Sequence, residues 1–258
     1  MNRLTKIAAI AHVTILESVR RKDPYVVLVL GLAIMLGAGI FSSFGVKGLE
    51  KFIKDIALTV TNVFTCIICV AAAARQLPHE IEFRTLYPLI AKPIGRSTFF
   101  LGKYLGVAII SSVVVLAFFV EIQVLFWIFK VPAGLVFYQA LYLRLVSMWF
   151  IAALTLTLSL TLTQAANVTI SVLLVLAMQT FARTILTVHS GLDGIGKRIA
   201  EGIYYFAPHL ELFNLGKLVV HGYPPVPFWV LLVLTGYAAV YSGVFLAAGC
   251  MKLRRTAF

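Results

Sequence analysis

The chain has few charged residues: Asp, Glu, Lys and Arg make up 12% of its 258 residues, about half the share that is usual in soluble domains. Hydrophobic residues account for 61%, against roughly 45 to 50% in soluble proteins. The polar gaps between the apolar runs are too short to build a soluble domain. The sequence therefore predicts an all-α integral membrane protein, with one transmembrane domain over residues 1–258 and no attached enzyme domain.

Cysteine and acidic residues are also rare, with three Cys and ten Asp or Glu against 22 Lys and Arg, a net charge of +12. Cys66 and Cys69 have C-x-x-C spacing inside an apolar run. No second ligand pair accompanies them, which favours buried structural thiols over a metal or redox centre. The basic residues lie mostly in short loops beside apolar runs, a pattern typical of membrane topology and lipid headgroup contact rather than nucleic-acid binding.

Motifs for nucleotide and zinc binding are incomplete. Residues 191–198 fit seven positions of a phosphate-binding loop, but Arg198 stands where Ser or Thr would hold the metal. His79 and Glu80 begin an H-E-x-x-H zinc motif, but Phe83 replaces its second histidine. We therefore expect no catalytic residue, no metal site and no cofactor in this chain.

Six apolar runs are long enough to cross roughly 30 Å of hydrocarbon as helices. Ahead of them, residues 4–19 place apolar side chains at helical spacing between basic ones, which predicts an N-terminal interfacial helix within residues 1–23. Residues 189–227 are too polar to span, and we expect short extracytoplasmic re-entrant or interfacial helices there. The predicted spans are residues 25–44, 56–74, 104–129, 141–162, 168–188 and 228–251.

The distribution of basic residues predicts the orientation, because cytoplasmic loops carry an excess of Lys and Arg. With the N-terminus inside, the cytoplasmic segments hold 13 of the 22 Lys and Arg residues. The bias favours a multi-pass protein with both termini in the cytoplasm.

Three ionisable residues fall within predicted spans, where a charge is expensive and usually faces a partner or a water-filled cavity. Glu121, Arg144 and Arg183 are each expected within roughly the outer 12 Å of the membrane. We expect an outer-leaflet polar cluster in which Glu121 pairs with Arg144 or Arg183. Such a pair either fastens the bundle or builds a polar site for a headgroup or a gate.

A basic, proline-punctuated segment at residues 75–103, RQLPHEIEFRTLYPLIAKPIGRSTFFLGK, is the only long polar stretch on the predicted cytoplasmic face. From Glu82 to Lys103 it resembles the loop between the second and third spans of type-2 ABC exporter permeases, with an acidic residue, R-T-L, K-P, Arg and L-G-K in order. The N-terminal helix, the six spans and the segment PHLELFN at residues 208–214 are similar to that family too, particularly to permeases of nitrous-oxide-reductase maturation and gliding motility. Arg84 departs from the Gly that many members carry there.

The resemblance implies a permease subunit of a bacterial cytoplasmic membrane exporter. It would pair with a second permease copy, identical or not, and contact membrane lipid. Two separate ABC ATPase subunits would bind ATP and Mg. Accessory extracytoplasmic proteins are possible further partners. In the family this loop carries a coupling helix that docks on the ATPase. Carried over, that helix covers residues 78–86, with Pro78 in its first turn. The residues implied in coupling are Pro78, Glu80, Glu82, Arg84, Thr85, Leu86, Lys92 and Arg96.

Two other classes remain open on the residues alone. One is a structural or scaffold membrane subunit, and the other is a secondary transporter that needs no ATPase. The spans lack the midplane carboxylates and paired broken helices that ion-coupled sites use, which weighs against secondary transport.

Overall fold

The computed structural model describes residues 3–42, 49–82, 95–189 and 207–255, and no strand occurs within these ranges. The all-helical class predicted from the composition is therefore confirmed for the described chain. The helices are α1 Arg3–Arg20, α2 Asp23–Ser42, α3 Leu49–Glu82, α4 Arg96–Ile128, α5 Leu135–Leu158, α6 Gln164–His189, a 3-10 helix Leu210–Phe213, α7 Gly216–His221 and α8 Phe228–Arg255.

Four of these helices are long and apolar enough to cross a membrane, which confirms the membrane character that the composition predicts. The stretches that meet this criterion are Glu50–Pro78, Arg96–Ile128, Leu135–Leu158 and Phe228–Leu253. The predicted first and fifth spans fall on α2 and α6, where the described apolar stretches are shorter, at Pro24–Gly37 and Gln164–Thr180.

Helix α5 lies at the centre of the bundle. Phe137, Met148 and Phe150 on this helix are fully buried, and α5 packs against α3, α4, α6 and α8. Helix α8, in contrast, is largely exposed along its apolar length. Its exposed large side chains include Phe228, Trp229 and Val240, which suits a helix that faces lipid.

Helices α1 and α2 run beside α4 in the same direction. A Cβ atom built on Gly102 would lie 2.7 Å from the Ile10 Cβ, and one on Gly106 would lie 2.5 Å from the Thr14 Cβ. The contact moves forward by four residues on α4, from Gly102 to Gly106, and by four residues on α1, from Ile10 to Thr14, so the two helices run in the same direction. Such separations leave no space for a side chain, so the two glycines allow the backbones of α1 and α4 to approach closely.

The side of α1 that faces α4 is small and partly polar. Ala11, Thr14 and Ser18 are its buried residues, whereas Leu4 and Val13 are strongly exposed. The helix predicted at residues 4–19 therefore exists. It buries its small residues against α4 and leaves large apolar side chains on its outer side.

A buried amide joins α5 to α6. The Asn167 Nδ2 atom donates to the Thr155 carbonyl oxygen at 3.1 Å, and the Ser171 Oγ atom donates to Asn167 Oδ1 at 3.0 Å. All three residues are completely buried. Since an unpaired buried amide is costly, this arrangement holds the start of α6 against the end of α5.

Helices α3 and α4 are longer than the spans predicted for them. They contain 34 residues and 33 residues, or about 50 Å each at 1.5 Å per residue, against roughly 30 Å of hydrocarbon. Helix α3 continues to Glu82 instead of ending at Ala74. Helix α4 begins at Arg96 instead of Tyr104.

The placement of Pro78 in the first turn of a separate helix is wrong. Pro78 lies inside α3, which continues past it to Glu82. A proline removes one helical hydrogen bond, and here the loss falls near the helix end. The neighbouring Leu77 is only 1% exposed, so its burial against the bundle favours continuation of the helix.

Candidate functional site

The ends of α3 and α4 meet at the end of the bundle where α1 begins. Residues 75–82 of α3 and residues 96–103 of α4 lie beyond the spans predicted for these helices, by about 12 Å each. We call these two stretches the helical stem. In the sequence, the two halves of the stem flank residues 83–94, which are outside the described residues.

A buried lysine joins the two halves of the stem. The Lys103 Nζ atom donates to Gln76 Oε1 at 3.0 Å, and Lys103 is 2% exposed. The same Nζ atom lies 5.9 Å from the centre of the Phe99 ring, where the ring face attracts a cation. Burying an ammonium group is unfavourable unless it is hydrogen-bonded or otherwise paired. The contacts of Lys103 therefore fix the position of α4 relative to α3.

A small apolar cluster fastens the stem to the rest of the bundle. It is separate from the main core and draws on α3, α4, α5 and α8. Gly249 of α8 approaches Phe100 so closely that an added Cβ would lie 2.4 Å from the ring. The buried members of the cluster are Leu77, Phe99, Phe100, Leu156 and Leu253.

Arg96 also contributes to this attachment. Its Nη1 atom donates to the Leu253 carbonyl oxygen at 3.0 Å, in the last turns of α8, where helix carbonyls lack intrahelical partners. The sequence assigned Arg96 to contact with an ATPase or with headgroups. The structure gives it a contact within the chain, which ties the start of α4 to the end of α8.

The other residues implied in coupling are placed only in part. Glu80 and Glu82 lie in the last turn of α3 beyond Pro78, and their side chains are outside the described part. Arg84, Thr85, Leu86 and Lys92 lie outside the described residues altogether. The structure thus brings Pro78, the end of α3 and Arg96 to one end of the bundle.

The predicted ion pair between Glu121 and Arg144 is wrong. Neither Glu121 nor Arg144 forms an ion pair with another described residue. Glu121 Oε2 is buried without a hydrogen-bond partner in this part of the chain. Arg183 lies on α6, but its side chain is outside the description, so its pairing with Glu121 stays a prediction.

Arg144 contacts α3 instead. Its Nε atom donates to the Thr65 Oγ1 atom at 2.9 Å, and its Nη2 atom donates to the Asn62 carbonyl oxygen. Helix packing decides this choice, because α5 presents this face to α3 and Glu121 lies on α4.

Arg144 also lies further along its helix than predicted. Helix α5 begins at Leu135 after an extended Gly134, six residues before the predicted start. Arg144 is therefore about 13 Å from the start of a 24-residue helix, and Asn62 and Thr65 lie near the middle of α3. The arginine belongs to the middle of the bundle rather than to its outer edge.

A polar cleft leads toward Arg144 from the end of the bundle at which α3 begins. Its wider part has a volume of about 220 Å³ and is lined by residues of α3, α6, α7 and the 3-10 helix, among them Asp55, Gln179, Glu211 and Lys217. A smaller cavity of about 30 Å³ includes Arg144 in its lining. Asn62 and Asn214 line both parts.

The partners of Arg144 on α3 were not predicted from the sequence. Thr61, Asn62 and Thr65 are polar residues within a few positions of each other in an apolar run, which in a membrane helix indicates a face turned toward protein or water. This spacing predicts that the face of α3 with these three residues is turned toward protein or water. Asn214, in contrast, lies in the predicted extracytoplasmic segment, and nothing in the pattern connects it with the middle of a span.

No protein-family model matches the chain, and a comparison with curated proteins finds no significant match.

Proposed function

We propose that the chain is the membrane permease subunit of an ATP-driven exporter, and that the helical stem transmits movement from a separate ATPase to the bundle. The resemblance of residues 82–103 to the loop of type-2 ABC permeases supports this proposal. So does the order of the chain, in which the middle of that loop, residues 83–94, joins the two halves of the stem. ATP and Mg would be bound by the two ATPase subunits, and a second permease copy would complete the pathway.

The observation that carries the proposal is the junction of α3 and α4 through Lys103 and Gln76. A force applied to residues 83–94 would move both helices together, because their ends share this buried hydrogen bond and one apolar cluster. Packed helices respond by rigid-body or shear displacement rather than by bending.

Helix α3 connects the stem to the interior of the bundle. Gln76 lies eleven residues, or about 16 Å, along the helix from Thr65, which contacts Arg144. A displacement of α3 along its axis would therefore change the surroundings of Arg144. This is a direct route from a cytoplasmic contact to a polar site in the middle of the spans.

We further propose six crossings, with both termini on the cytoplasmic side of a bacterial inner membrane. Two contacts support the crossings of α2 and α6. Gly31 of α2 lies against Phe118 of α4, and Gly39 lies against Phe129 directly after α4, so α2 runs beside the second half of α4. Gln179 of α6 lines the same cleft as Asp55 near the start of α3, so α6 reaches the opposite end of the bundle from the stem.

The experiment is co-expression of the chain with ATP-binding-cassette ATPases from its native genome, followed by co-purification and measurement of ATP hydrolysis and transport. We expect an ATPase to co-purify with the intact chain. Glu80→Gln and Arg84→Glu should reduce coupled transport or ATPase retention by about tenfold, because a lost charge-assisted contact is worth about 1.5 to 3 kcal/mol.

The matched control is Lys51→Gln, a change to an exposed side chain at the opposite end of α3, which should alter neither quantity. Failure of any ATPase to associate with the unmodified chain would contradict the proposed function. Normal coupling in both Glu80→Gln and Arg84→Glu would move the docking contact to other residues of the segment.

A further inference from the structure

Arg144 is a cation in the middle of the bundle without an acidic partner in the described part of the chain. Its bonds go to the neutral oxygen atoms of Thr65 and Asn62. A guanidinium group has five N–H donors, and a buried charge is unfavourable unless it is paired or extensively hydrogen-bonded. The site therefore has a deficit of negative charge.

The cavity beside Arg144 has the size of a carboxylate group. Its volume is about 30 Å³, and since a water molecule needs roughly 10 to 15 Å³ measured in this way, it holds about two oxygen-sized atoms. Thr61, which lines the cavity, is 2% exposed and its Oγ1 atom has no hydrogen-bond partner among the described residues. A tetrahedral phosphate would need more room than this.

The wider part of the cleft suits the remainder of a small polar molecule. Its volume of about 220 Å³ is below the range of about 300 to 1,000 Å³ that drug-sized ligands occupy. Gln179 and Asn214 offer amide groups, and the Glu211 Oε2 atom is buried without a partner in the described chain. Asp55, Glu211 and Lys217 form no ion pair with one another, so these groups are available to a ligand.

We propose that this cleft binds a small carboxylate compound with additional hydrogen-bonding groups, whose carboxylate contacts Arg144 and whose body occupies the wider part. Arginine suits this role because its planar N–H groups match the two oxygen atoms of a carboxylate. The binding site is inferred from these residues alone. That the bound compound is also the transported substrate rests on the proposed function.

The test measures binding to the purified chain, without any ATPase, in lipid nanodiscs of neutral phosphatidylcholine. The probes are radiolabelled glutamate, alanine, lactate and succinate. Their amides (glutaminamide, alaninamide, lactamide and succinamide) replace each carboxylate by a neutral group, and inorganic phosphate and nanodiscs that contain phosphatidylglycerol test other anions. We expect at least one carboxylate to bind, and its amide to bind at least tenfold more weakly.

Two variants assign the binding to this cleft. Arg144→Gln should reduce carboxylate affinity by tenfold or more. Asn214→Asp, at an exposed loop position that lines both parts of the cleft, should do the same by placing a negative charge beside the carboxylate, and it keeps the test valid if Arg144→Gln fails to fold. Lys51→Gln, an exposed cation on α3 outside the cleft, should bind normally.

The proposal is overturned if no carboxylate of the panel binds at 10 mM, a concentration about ten times a millimolar dissociation constant. It is also overturned if phosphate or anionic lipid binds in place of a carboxylate. Full carboxylate affinity in Asn214→Asp would overturn it as well. Because the ATPase is absent, these outcomes leave the docking of an ATPase on the helical stem untouched. Conversely, failure of ATPase co-purification would leave a positive binding result intact.

Discussion

At the scale of single residues, the buried polar side chains decide which helices meet. Lys103, Arg144 and Asn167 each donate to an oxygen atom of another element. Arg144 is conspicuous in the sequence because it is an ionisable residue within an apolar run, but the pairing with Glu121 that this position predicts is wrong. The partner depends on how α5 is rotated against α3, and periodicity along one helix carries no information about that rotation.

Asn167 provides a prediction at this scale. Asn167→Ala should lower the free energy of unfolding by about 1 to 3 kcal/mol, because the Thr155 carbonyl and the Ser171 hydroxyl lose their buried partner. Unfolding in mixed detergent micelles measures the change. Thr169→Ala, an exposed position on the same helix, should stay within about 0.5 kcal/mol of the unmodified chain. Equal stability of the two variants would show that the amide does not hold the joint.

At the scale of helices, the apolar centres could be predicted and the ends could not. The run at residues 56–74 lies within α3 and the run at 104–129 lies almost entirely within α4, because a membrane-spanning helix needs about 20 apolar residues. The stem was missed because its residues are mixed in polarity. Leu77, Phe99 and Phe100 stabilise it by packing against one another, a long-range contact that local composition does not reveal.

The contact between α1 and α4 gives a prediction at this scale. Gly106→Ala should destabilise the protein by about 1 to 3 kcal/mol, since the new Cβ would lie 2.5 Å from the Thr14 Cβ and 3.0 Å from the Ala11 carbonyl oxygen. The displaced α1 should also expose Arg20 and Arg21 to faster cleavage by trypsin. Unfolding midpoints and digestion rates measure both effects.

The control for this prediction is Gly243→Ala on α8, where an added Cβ meets nothing within 4 Å. It should stabilise the chain by up to about 1 kcal/mol, because alanine favours the helix over glycine. Opposite signs for the two substitutions are therefore expected. Stabilisation by Gly106→Ala would mean that α1 does not pack on α4 through this glycine.

At the scale of the whole molecule, the number of helices that cross the membrane determines on which side each loop lies. The composition predicts a membrane protein without reference to any contact, and the structure confirms four helices of sufficient length and apolar character. The crossings of α2 and α6 are proposed from their packing. They decide whether the polar cleft and the stem lie on opposite sides of the membrane.

Cysteine labelling tests this arrangement in a Cys250→Ser background, where the remaining Cys66 and Cys69 are buried. Single cysteines replace Lys22, Lys51, Thr163 and Tyr223, all of which are at exposed positions. Six crossings place Lys51 and Tyr223 outside, where an impermeant maleimide labels them in intact cells, and Lys22 and Thr163 inside, where labelling requires permeabilised cells. Labelling of Thr163 and Tyr223 from the same side would exclude a crossing by α6.

The contact of α1 with α4 has a consequence for the order of synthesis. Helix α1 leaves the ribosome first, but its packing partner around Gly102 and Gly106 follows only after α2 and α3 have been made. Until then Ala11, Thr14 and Ser18 have no α4 to cover them. The exposed Leu4 and Val13 and the basic residues of α1 suit a waiting position at the lipid headgroups. The first of these helices is thus covered only when the fourth has been made.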